Sequence, residues 1–194
     1  FKLDFCNIEI IWSYQKIFYP TYFDSVVERI IANNKNAYII IPLGIETGQG
    51  SHANIIFWDL KNKTVERFEP NGNKYPRGYN YNPQLLNTLL LNKFKTIDPK
   101  ITYKAPKDYL PNVGLQLLEV QEDRRCKRIG DPNGFCAIWC IWWCYQKLNN
   151  IDTPSSKLII DLIKKIKLEN KSFKNVIRNF SQNIVNLRDK YLKK

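Results

Sequence analysis

The period of apolar and polar positions changes several times along the 194-residue chain. In "YPTYFDSVVERIIANNKN" the apolar residues Val26, Val27, Ile30 and Ile31 share one face of a short helix, and the whole segment 1–36 reads as helical. "AYIIIPLGI" (37–45) is instead a continuous apolar run rich in β-branched residues, which fits a buried strand. "TGQGS" (47–51) has turn composition. Two further runs, His52–Leu60 and Thr64–Glu69, read as a hairpin joined through "KNK" and closed by "PNG" at 70–72. "NPQLLNTLLLNKF" (82–94) reads as an amphipathic helix with Pro83 in its first turn. "ITYKA" (101–105) is a short strand, and "GLQLLEVQ" (114–121) is expected to be another. A tryptophan-rich helix over 135–149 and helices at about 154–168 and 171–192 complete the chain.

Hairpin strands flanked by helices predict one α+β domain over 1–194 with a central mixed or antiparallel sheet. Its core spans 37–149, an N-terminal helical segment occupies 1–36, and C-terminal helices fill 153–192. Hydrophobic residues make up 44% of the chain, enough for a packed core. No apolar run reaches the length of a membrane span, so no membrane partner is expected and the domain reads as a monomer. "FKLDFCNIEIIW" lacks the layout of a signal peptide, and with no Met anywhere the sequence reads as a piece of a longer chain. The net charge is +12, with lysines concentrated in "KLIIDLIKKIKLENKSFKNVIR" and "DKYLKK". Such a surface suits nucleic acid or an acidic protein, but without aromatic–basic platforms its plainer role is solubility.

Five cysteines, an odd number clustered late in the chain, argue against a secreted disulfide framework and for a reducing compartment, cytoplasmic or nuclear. Cys136 follows the "DPNG" turn and opens a helix, where unpaired N–H groups and the dipole favour thiolate. Cys140 and Cys144 lie one and two turns deeper and read as small core residues. His52 is the sole histidine and begins a strand behind a Gly-containing loop. The hairpin brings Glu69, seventeen positions on, beside it as an orienting carboxylate, with Asn71 a lesser substitute. Gln116 and Gln121 are side-chain amides available for an oxyanion. Three thiolates along one helix span too much length for a tetrahedral ion, so neither metal nor organic cofactor is expected.

The order "SHANIIFWDL", "VERFEPNG", "GLQ", "NGFCAIW" resembles one cysteine-protease clan. Its members are the SUMO/Ubl-specific proteases of the Ulp/sentrin type, the adenovirus maturation protease, and bacterial and large-virus deubiquitinases. "GFCAIWCIWW" is most similar to the giant-virus thiol proteases, with Trp139 three positions after the cysteine. The resemblance covers roughly residues 37–149 and implies a papain-like/Ulp-type fold with the nucleophile at the N-terminus of a buried helix. It further implies a Cys136–His52–Glu69 triad with Gln116 in the oxyanion hole, acting on the C-terminal (iso)peptide bond of ubiquitin or a ubiquitin-like protein. Alternatives it leaves open are processing of viral polyproteins in a virion, triad-based acetyltransfer, and an inactive basic interaction module. The loop 44–51 and segment 117–134 are the expected groove walls. Two departures stand out. Ala53 replaces a tryptophan after the histidine, and Gly130 stands where the glutamine is expected, leaving Gln121 and the Asp131 position as alternatives to Gln116.

Overall fold

Strand β3 (Tyr38–Thr47) buries every second residue, Ile39, Ile41, Leu43 and Ile45, and becomes the axis around which the sheet is built. The computed structural model describes residues 8–33, 37–48, 50–74, 81–122 and 134–192. On one side β3 pairs antiparallel with β4 (Gly50–Asp59), which pairs antiparallel with β5 (Thr64–Phe68), and β5 pairs parallel with β6 (Thr102–Lys104). On the other side β3 pairs parallel with β1 (Ile10–Ser13), whose antiparallel neighbour β2 (Lys16–Phe18) forms the edge. The sheet is therefore mixed, in the order β2-β1-β3-β4-β5-β6.

Each face of the sheet has its own core. Helices α1 (Phe23–Ala32) and α2 (Pro83–Ile97) cover one face. Their stripes Phe23, Val27, Ile30 and Leu86, Leu90, Phe94 lie against Ile41, Ile45, Ile56 and Trp58. Asn82 caps α2 by accepting from the N–H groups of Gln84 and Leu85 at 3.1 and 3.0 Å, with Pro83 in the first turn as the sequence predicts. The opposite face carries Ile55, Phe57 and Phe68 beneath α5 (Cys136–Asn149), α6 (Ser155–Leu168) and α7 (Phe173–Leu192). Phe68 stacks on Trp143 at 4.9 Å and 9°. Two shorter helices, α3 (Pro106–Tyr109) and α4 (Leu115–Gln121), lead toward α5.

Two expectations are corrected. The segment 1–36 is not helical throughout: β1 and β2 precede α1. Their turn, Tyr14-Gln15, takes positive φ (49° and 61°) without the Gly, Asn or Asp that usually announces such a hairpin, so the sequence gives no turn signal. "GLQLLEVQ" is a helix rather than a strand, because its buried residues Leu115, Gln116 and Glu119 follow helical spacing. Expectations for Cys6, Cys126, Gly130, Asp131 and most of the 117–134 segment fall outside the described residues.

Candidate active site

The site forms where two neighbouring strands stop at different heights. The β4–β5 ladder begins at Ile55 opposite Phe68, whereas β4 itself extends back to Gly50. Residues 50–54 therefore pair with β3 alone and leave their other edge open. In an antiparallel strand the N–H and C=O of one residue point to the same side. Those of Ala53 point into the opening, where the thiols of α5 take the place of the missing strand. Its N–H serves Cys136, and its C=O accepts from Cys140 Sγ at 3.5 Å and Asn54 Nδ2 at 3.0 Å.

His52 and Glu69 meet across this step. His52 Nε2 donates to Glu69 Oε1 at 2.7 Å, and both residues are buried. Glu69 takes Nε2 and leaves Nδ1 as the ring nitrogen not engaged by the acid, and the imidazole interacts with the Cys136 thiol. Burial alone would lower the imidazole pKa, but the Glu69 charge and the bond to Cys136 raise it to about 9. Burial would likewise raise the Glu69 carboxyl; the His52 charge and hydrogen bond, with Arg67 and Asn54 behind them, bring it down to about 2. Burial also opposes ionisation of Cys136, and the His52 hydrogen bond, the Ala53 N–H, the His52 charge and the Ala137 N–H together take its thiol below its ordinary value. Phe135, which precedes α5, offers no side-chain cap, so the first-turn N–H groups are available to the sulfur.

The acid and the glutamine are carried by two loops zipped to each other. Asn73 N–H donates to Pro111 O, Gly114 N–H to Asn71 O and Gln116 N–H to Pro70 O, each at 2.9 Å. Only glycine permits this approach. A Cβ on Gly72, where φ is +100°, would lie 2.6 Å from Gly114 N, and one on Gly114 would lie 2.3 Å from Gly72 N. Gln116 is thereby held beside the segment entering α5, its Nε2 3.4 Å from where a Cβ at Gly134 would stand. Among the described residues its Oε1 has no hydrogen-bond partner, so the fold leaves that side of the amide unused.

The structure thus brings together Cys136, His52 and Glu69, and holds Gln116 beside Gly134, two residues ahead of Cys136. Gln121 is exposed at the far end of α4 and does not join them. Asn71 serves the acid rather than replacing it, donating to Glu69 Oε1 through Nδ2 and its backbone N–H, both at 3.0 Å. Cys140 and Cys144 are buried, and burial pushes the first well above its ordinary pKa and the second to about 12. In the expected wall 44–51 the described residues are paired strand ends, Glu46 opposite Ser51 and Thr47 opposite Gly50. Sequence reasoning missed Asn54, Arg67 and Tyr81. The first two carry a readable signal, since His52-x-Asn54 and Arg67-x-Glu69 place polar pairs on one inward face of otherwise apolar strands. Among the described residues no His/Cys/Asp/Glu cluster suited to a metal ion is found, and no helix is long and apolar enough to cross a membrane.

The chain is 47% identical, over 195 aligned positions, to a protein of Acanthamoeba polyphaga mimivirus named as an ankyrin repeat protein. The alignment takes in 97% of this chain and 26% of that protein. No protein-family profile matches the chain, and no solved structure matches it. These findings correct the assignment to the Ulp/sentrin and adenovirus-protease clan: its profiles do not match, and the relative is named for repeats rather than for peptidase activity. Cleavage at the C-terminus of ubiquitin or a ubiquitin-like protein, and the polyprotein-processing and acetyltransfer alternatives, rested on that clan and fall with it. The likeness to giant-virus sequences holds; the protease description attached to it does not. Nor do the described residues form the stacked helix pairs of an ankyrin array, so what the chain shares with this viral protein is a segment built on a six-stranded mixed sheet.

Proposed function

We propose that the chain is a thiol hydrolase, in which Cys136 attacks a carbonyl and is released from the resulting thioester by water. The observation that carries this reading is one line of groups, from buried Glu69 and His52 to half-buried Cys136, with a side-chain amide held beside the helix start. His52 takes the thiol proton, and Glu69 stabilises the imidazolium. The thiolate forms the new C–S bond, and the carbonyl oxygen becomes an oxyanion within reach of Gln116 and the Cys136 N–H. As the tetrahedral species collapses, His52 returns its proton to the leaving group. Water, deprotonated by the same imidazole, then cleaves the thioester and regenerates the thiol.

The test is labelling with a thiolate-directed electrophile such as a peptidyl vinyl methyl ester, which captures the sulfur by conjugate addition, followed by peptide mapping, beside turnover of a panel of activated esters and amides. The wild type should be labelled at Cys136, with labelling and turnover lost in Cys136→Ala and retained in Cys140→Ala. Equal labelling of C136A and wild type would overturn the reading. A second reading, a protein-interaction module, draws on the name of the mimivirus relative and the lysine-rich α6. It would be favoured by a partner captured equally by the wild type and C136A from a preparation in which no turnover is found.

A further inference from the structure

Strand β5 carries a guanidinium where its alternation calls for an apolar side chain. Arg67 points to the same face as Val65 and is 2% exposed, inside a core of Ile, Leu, Trp and Phe. A buried cation is costly unless every donor is placed. Here Nε donates to Asn87 Oδ1 at 3.0 Å, the Tyr103 hydroxyl donates to that same oxygen at 2.9 Å, and Nη1 donates to Asn54 Oδ1. Arginine has donors only, so it can face only the oxygen of the Asn54 amide. The Asn54 NH2 must therefore turn the other way, where it meets Glu69 Oε2 at 2.9 Å and Ala53 O at 3.0 Å. An amide orientation that is otherwise free to flip is set by the cation behind it.

From this geometry we infer that Arg67 is a positioning residue for the thiol site, acting through Asn54 to hold Glu69 aimed at His52. The inference rests on the thiol-hydrolase reading. With Asn54 fixed, Glu69 Oε2 is held by Asn54 and the Tyr81 hydroxyl (3.2 Å), and Oε1 is left for His52 and Asn71. Were Asn54 to turn over, its oxygen would face the carboxylate, which would swing away or take up a proton. Asn54 also bonds the Ala53 carbonyl, on the residue whose N–H faces the Cys136 sulfur, so one side chain touches the acid directly and the thiol's backbone donor residue. The titratable and charged groups facing Glu69 and Arg67 are His52 on β4, Tyr81 ahead of α2, Tyr103 on β6, Tyr109 on α3 and the α5 thiols Cys136 and Cys140.

Because His52 is the only histidine, its imidazole resonances in a 15N-labelled sample are unambiguous. They would be titrated alongside the rate of Cys136 alkylation by iodoacetamide, with no substrate needed. Arg67→Met and Asn54→Ala should each slow alkylation at neutral pH by roughly tenfold or more, the scale seen when a partner behind a site ligand is lost. Each should also shift the imidazole titration, and the double variant should be no slower than the slower single, because both act on one path. If R67M does not fold, N54A alone decides, since it leaves the cation in place. Wild-type profiles in the folded variants would overturn the inference and leave Arg67 a core residue only. An ordinary thiol pH dependence in the wild type would instead overturn the thiol-hydrolase reading itself and this inference with it.

Discussion

At the level of single residues, environment separates three chemically identical thiols on one helix. Cys136 lies at the first turn against His52 and two backbone N–H groups, whereas Cys140 and Cys144 lie in the core, where burial holds them protonated. Iodoacetamide should therefore modify Cys136 at a pH where an ordinary thiol is inert, and His52→Ala should return that reaction to an ordinary thiol profile, read by mass spectrometry of the helix peptide. Glu69→Gln keeps the shape and removes the charge. Its expected result is a His52 titration well below the value of about 9, with residual reactivity at Cys136 because orientation alone is lost. Cys136, His52 and Glu69 were legible because residue type and spacing carried their chemistry. Asn54 and Arg67 show in the sequence only as polar positions on inward strand faces, since their role depends on which side chain each meets across the β4–β5 step.

Between elements, the decisive contact is the zipper joining loop 69–73 to segment 111–116. Neither Gly72 nor Gly114 has room for a side chain, so Gly114→Ala should force the loops apart and displace both Glu69 and Gln116. The expected loss is about 1–3 kcal/mol in urea unfolding, accompanied by slower Cys136 alkylation. The β1–β2 turn offers the opposite case. Tyr14 is 90% exposed and, like Gln15, takes a positive φ that Asn and Gly adopt more readily. The double change Tyr14→Asn/Gln15→Gly should raise the thermal midpoint, by about 0.5–1 kcal/mol in stability, without altering the thiol. This hairpin and α4 depart from the sequence pattern for related reasons: one has no turn residue to announce it, and the other is too short for its helical period to show.

For the molecule as a whole, the coupled charges set a pH window. The folded-state pKa of Glu69 is depressed from 4.5 to about 2, so its contribution to stability is present above about 4.5 and is lost as pH falls through about 2. That of His52 is raised from 6.5 to about 9, so its contribution is complete below about 6.5 and is lost as pH rises through about 9. Thermal midpoints across pH should show both limbs, with the alkaline limb flattened in H52A. Added salt should raise the midpoint at neutral pH, because a net charge of +12 repels itself in the compact state. By itself the sequence determined the main β3–β5 strands, the larger helices, and a thiol, an imidazole and a carboxylate at spacings a hairpin can join, because these follow from local periodicity and side-chain chemistry. Only the tertiary structure decided the strand order, the step where β5 ends below β4, the choice of Gln116 over Gln121, and the Arg67–Asn54 support behind the acid. Those depend on which distant segments pack together, and no local pattern of residues encodes that.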